Sequence, residues 1–125
     1  MLRYNRQEPL RYTFAKPIEG DFTIIINDHN DPEDQTQHKT GSGRLEVIDL
    51  SPGGMRFATE LDLPLNEKDF LIEVSFRFVE EDVKMVGNLV WKKEKVKRFE
   101  YGLDALEDDN KDNQIMSFLK KIHGG

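Results

Sequence analysis

Asp49 and Ser51 stand two residues apart at the end of an apolar, strand-like run, and Pro52-Gly53-Gly54 follows them directly. In an extended segment the side chains at i and i+2 leave the same face, so the carboxylate and the hydroxyl point the same way. Pro52 presets a turn, and the glycines let backbone N–H groups approach a bound molecule without a Cβ in the way. This combination predicts a small polar pocket at a strand end, suited to an anionic ligand. Upstream, Arg3, Arg6, Arg11 and Lys16 are set against only Glu8 in the first 16 residues, whereas Glu19, Asp21, Asp28, Asp31, Glu33 and Asp34 follow. A basic arm ahead of an acidic body suits a small anion or an acidic partner patch; a solvated terminus is the plain alternative.

Other chemistries lack their parts. The net charge of −6 argues against general nucleic-acid binding, which rests on neutralising several phosphates with Lys and Arg. The absence of cysteine excludes disulfides and thiolate metal sites and agrees with a cytoplasmic protein. No run of about 18 apolar residues is available to span a membrane, and Met1 to Arg6 has no signal-like apolar stretch. His29 and His38 lie among acids, but nine residues of separation in a polar loop do not preset a metal site, so a solvated loop is the reading. Ser51 has no histidine near it in the pattern, and Ser51-Pro52-Gly53-Gly54 lacks the Lys-Ser/Thr of a phosphate loop. The expectation is a single domain that is not an enzyme and carries no cofactor or metal, as a monomer or weak dimer.

The elements that must hold the pocket are legible in the apolar periodicity. Phe22, Ile24 and Ile26 alternate within Asp21 to Asn27; Leu45, Val47 and Asp49 mark a second strand; Met55 to Thr59 is a short third. Phe70, Ile72, Val74, Phe76 and Phe78 predict a fourth strand, and Val83, Met85, Gly87, Leu89 and Trp91 a fifth, joined through a Glu80-Glu81-Asp82 turn. Phe99, Tyr101, Leu103 and Ala105 mark a sixth. Residues 28–43 show no period and read as a long loop. Lys92 to Arg98 reads as a basic connection, a solvated hairpin or else a docking surface for an acidic partner. Trp91 and Tyr101 read as core or wall residues, or as a stacking face for a base. Ile115, Phe118, Leu119 and Ile122 then switch to helical spacing, with Asp108, Asp109 and Asn110 as N-cap candidates. Six antiparallel strands with one terminal helix fit a barrel or a sandwich.

Taken in order, these segments resemble PilZ domains, bacterial receptors for cyclic di-GMP. Asp49 to Gly54 is similar to the family's D/N-x-S-x-x-G motif. Arg6-Gln7-Glu8-Pro9-Leu10-Arg11 is similar in part to R-x-x-x-R with an extra Arg before it: Arg11 matches the second Arg, Arg6 the extra one, and Gln7 stands where the first Arg would be. Gly87 to Trp91 and Tyr101 to Asp104 resemble the late G-x-V-x-W and Y-G-x-x-F strands. The resemblance favours the barrel and implies a mainly β fold, a six-stranded antiparallel β-barrel of split-barrel type with a C-terminal helix. It implies one domain over 1–125, with a ligand-binding arm at 1–16, the barrel at 21–105 and the helix at 108–123. It also implies a cyclic di-GMP receptor and adaptor whose ligand-binding residues are Arg6, Gln7, Arg11, Asp49, Ser51, Gly53 and Gly54, whose arm orders on binding, and which signals through a protein partner. An arginine fork meets phosphate or the O6 and N7 acceptors of guanine, whereas the Gln7 carboxamide suits adenine N6 and N7. The alternative is a degenerate PilZ domain that does not bind the nucleotide and acts as a protein interaction module.

Overall fold

The computed structural model describes residues 11–27, 37–65, 70–78, 80–106 and 109–124. Six strands, β1 (Tyr12–Asn27), β2 (Gln37–Ser51), β3 (Gly54–Thr59), β4 (Phe70–Phe78), β5 (Glu81–Lys95) and β6 (Arg98–Ala105), precede a helix, α1 (Asp109–Gly124). All pairings are antiparallel, and the strands close in the order β1-β2-β3-β6-β5-β4. Closure pairs every strand on both sides and leaves no open edge to aggregate.

The inward positions carry Phe22, Val47, Leu50, Met55, Phe57, Ile72, Val74, Met85, Leu89 and Leu103, all buried in one cluster. Strand β4 is the plainest case: its alternating residues face inward and its register against β1 and β5 runs without a break. Each end of the barrel is stoppered differently. At the end holding the β2–β3 and β4–β5 turns, α1 inserts Ile115, Phe118 and Leu119, with Phe118 edge-on to Phe78 at 6.0 Å between ring centroids. At the other end Leu63 enters the core, and the Tyr101 hydroxyl accepts the Leu63 N–H at 2.7 Å and donates to the Leu61 carbonyl at 2.8 Å. Burial pushes the Tyr101 phenol pKa up, and the Leu63 N–H pulls it partly back.

Several strands differ from the alternation read in the sequence. Strand β1 starts at Tyr12 rather than Asp21, because Phe14 packs edge-on against Phe76 and Phe78 and draws the segment into the wall. Between Thr13 and Ile18 the β1–β2 register slips, so that residues 14–17 stand against Ile48 alone; Pro17, which has no N–H for a ladder, sits inside that irregularity. Strand β2 begins at Gln37, so the aperiodic stretch 37–43 is strand, held by backbone pairing to 22–27. Glu81 and Asp82 belong to β5, and the turn falls one residue earlier, with Glu80 at φ 64°. Lys92 to Lys95 are strand, leaving a two-residue tip of Val96 and Lys97.

Candidate ligand site on the outer face of the barrel

Two bulges build the site. Strand β2 pairs Val47 with Phe57 and then Asp49 with Arg56, so Ile48 is the extra residue; strand β5 pairs Leu89 with Leu103 and then Trp91 with Gly102, so Val90 is the extra residue. A one-residue bulge inverts the facing of everything beyond it. Asp49 and Trp91, in phase with the inward residues Val47 and Leu89 by sequence, are therefore turned outward. There they fall on one row across four strands, Asp49 (β2), Arg56 (β3), Gly102 (β6) and Trp91 (β5). The reading of Trp91 as in phase with Leu89 is corrected by the Val90 bulge.

Asp49 is 2% exposed, and a carboxylate that deep needs cations or donors to offset its lost hydration. Arg11 provides a 2.7 Å charge-assisted hydrogen bond from Nη2 to Oδ2, reaching back from just before Thr13, which pairs with Asp49 across β1 and β2. Arg56 approaches the same oxygen from the other side, its Nε 3.1 Å away as an ion pair, yet the N–H is not aligned to make a hydrogen bond. Asp49 thus sits between two guanidinium groups, one 16% and the other 31% exposed. Asp104, on the same face of β6 and paired with Gly54, adds a second acid nearby.

The turn is a two-residue hairpin closing Ser51 onto Gly54, with Pro52 in the first central position, where its fixed φ fits. The Ser51 hydroxyl donates to the Gly54 carbonyl at 3.2 Å, and the Gly53 carbonyl accepts the Ala105 N–H at 3.0 Å, tying the turn to the end of β6. Neither glycine has a positive φ, so neither is there for a left-handed backbone. Gly102 has a clear steric reason: the pyrrole edge of Trp91 occupies the space a Cβ would need, so the indole lies down over β6 beside Arg56.

Of the seven predicted site residues, Arg11, Asp49, Ser51, Gly53 and Gly54 are brought to one corner of the barrel; Arg6 and Gln7 lie outside the described residues, as do His29 and most of the acidic loop. Arg56 was missed, although the sequence held the signal: a two-residue turn pairing Ser51 with Gly54 places Arg56 opposite Asp49 by counting. A separate groove of about 640 Å³ lies further up the same face, lined by Glu19, Asp21, Arg44, Glu46, Lys97 and Arg98 among others. It reaches down β3 only to Ala58, its Arg98 and Glu46 pair with each other at 3.4 Å, and none of the motif residues line it. Among the described residues no cluster of three or more metal-ligating side chains occurs, and no helix is long and apolar enough to cross a membrane.

Comparison with known proteins adds the family. The sequence matches the profile of the PilZ domain over residues 21–121, most of its length. The chain belongs to the PilZ domain family. PilZ domains are non-catalytic receptor and adaptor modules associated with cyclic di-GMP. The match includes the Asp49 to Gly54 turn and the Trp91 row but not the arginine arm, so membership rests on the barrel. Among solved structures, this PilZ barrel is similar to YcgR from Escherichia coli, crystallised in complex with c-di-GMP, with a TM-score of 0.62 and 15% identity over 96% of this chain and 47% of that one. It is also similar to the PilZ domain of CeSA from a cellulose-synthesising bacterium, with a TM-score of 0.54 and 10% identity over 90% of this chain and 97% of that one. At these identities the likeness is one of fold, and the chain spans about half the length of YcgR. No curated protein matches the sequence.

Proposed function

We propose that this PilZ domain is a receptor for cyclic di-GMP that binds on the outer face at the Asp49 row. The observation that carries the reading is the carboxylate of Asp49 held between Arg11 and Arg56 next to a Trp91 indole laid over Gly102. Guanidinium forks suit phosphates and the guanine Hoogsteen edge, an indole suits base stacking, and Ser51, with its proton given to Gly54, keeps lone pairs free to accept. Arg6, Gln7, Arg11, Asp49, Ser51, Gly53 and Gly54 are the residues proposed to contact the ligand. Binding would draw the part of the basic arm that precedes Arg11 against the barrel and so present a surface to a protein partner, by shifting the population of its conformations.

Isothermal titration of cyclic di-GMP into the protein, with cyclic di-AMP alongside, tests the reading. Saturable binding in the micromolar range or tighter, lost in Asp49→Ala, is the expected result; no heat at high ligand concentration defeats it. The second reading, a nucleotide-free interaction module, is favoured by Gln7 at the position of a motif arginine. It predicts that silence in the wild type persists in Gln7→Arg.

A further inference from the structure

We infer that Arg56, two residues beyond the family motif, is the residue that reads guanine in this site, its terminal Nη groups donating to O6 and N7 of the base. The inference rests on the receptor reading above and assigns the arginine that sets base specificity. Arg56 stands on the outer row between Asp49 and Gly102, and the indole of Trp91 lies over Gly102, one strand spacing, about 4.8 Å, from the Arg56 backbone. A purine stacked on that indole presents its edge toward β3, where Arg56 emerges. Among the described residues Asp49 is the only ion-pair partner of Arg56, and the buried Nε makes no hydrogen bond. The guanidinium is therefore anchored at its inner end and, half-buried, offers its outer fork to whatever docks there. Arg11 differs: its Nη2 is already committed to Asp49 and it is the more buried of the two. Asp49 sits behind Arg56 and holds the fork in place, as carboxylates commonly do for bidentate arginines, and Asp104 stands two residues beyond Gly102 on the same side of β6.

Arg56 also resolves the Gln7 problem. A carboxamide at position 7 cannot satisfy two acceptors on guanine. A fork arriving from β3 can, without any shift of the arm.

The test compares Arg56→Gln and Arg56→Lys with wild type by titration of cyclic di-GMP and cyclic di-AMP, with thermal melts to establish that each variant folds. A bidentate contact predicts that both variants weaken cyclic di-GMP by about tenfold to a hundredfold. Lys keeps the charge beside Asp49 but not the planar fork, so it does not rescue, and Arg56→Gln shifts the preference toward cyclic di-AMP. If Arg56→Lys binds cyclic di-GMP within about threefold of wild type, or if neither variant changes affinity, Arg56 only balances the charge of Asp49 and the inference is overturned. If wild type itself binds no cyclic di-GMP while remaining folded, the receptor reading falls and takes this one with it.

Discussion

The β4 wall and the bulged wall of β2 and β5 are made from similar residues and do opposite things. Strand β4 keeps one register with both neighbours and buries Ile72, Val74 and Phe76 inward, so it contributes core and nothing else of chemical interest. Strands β2 and β5 each insert one residue, Ile48 and Val90, and each bulge hands a polar or aromatic side chain to the outside at the same level of the barrel. Regular pairing builds stability, and paired irregularities build a surface. Bulges are features a fold keeps for a purpose, since each sacrifices ladder regularity to re-aim a side chain.

The largest effect expected from testing this contrast is in the regular wall. Ile72→Ala removes a fully buried side chain from the barrel centre and should cost about 2 to 5 kcal/mol in denaturant unfolding, while nucleotide affinity of the remaining folded protein stays at the wild-type value. An affinity loss of more than a few-fold would mean the two walls are energetically coupled. On the bulged wall, Gly102→Ala puts a methyl where the Trp91 indole lies, at about 1 to 3 kcal/mol of overpacking. There the expected signature is a displaced indole, seen as a change in intrinsic tryptophan fluorescence, together with loss of ligand binding and an unchanged far-UV spectrum. Unaltered fluorescence would show that the wall yields elsewhere.

Tyr101→Phe probes the stoppered end away from the site. It strips the Leu63 N–H and the Leu61 carbonyl of their partner, for about 1 to 3 kcal/mol of stability and no change in nucleotide binding. The pH dependence follows from the raised phenol pKa. The folded state holds the proton more tightly than the unfolded chain, whose tyrosine ionises near about 10. That share of stability is complete below the unfolded value and is lost as pH rises through the folded one. Alkaline melts should therefore fall more steeply above about pH 10 for wild type than for Tyr101→Phe. Smallest of all is Arg77→Ala at the outer side of β4, which breaks an exposed pair with Asp82 and should move stability by no more than about 0.5 kcal/mol. A greater loss would mean that the regular wall depends on its surface charges as well as its core.

How much of this was readable beforehand varies by element for physical reasons. The apolar residues of β4 and the stripe Ile115, Phe118 and Leu119 gave their elements away because each side chain's environment follows directly from the local period. Strand β1 before Asp21 and strand β2 before Arg44 were not readable, because neighbours far along the chain hold them: Phe76 and Phe78 pack against Phe14, and 22–27 pairs with 37–43. The Asp49 to Gly54 turn was visible as a motif and is indeed a tight hairpin. Arg56 was overlooked because a lone arginine in a short strand has no periodicity to mark it; only counting back across the Ser51–Gly54 turn sets it opposite Asp49.

The sequence by itself determined the class of the fold and the family: alternation and helical spacing fix which residues want to be inside, and a turn of Asp, Ser, Pro and Gly is local enough to form from its own residues. Only the tertiary structure decided which side chains meet. The two bulges are settled by how neighbouring strands must twist and coil to close the barrel, a condition no single strand contains, and it is those bulges that bring Asp49 and Trp91 out onto the row of Arg56 and Gly102.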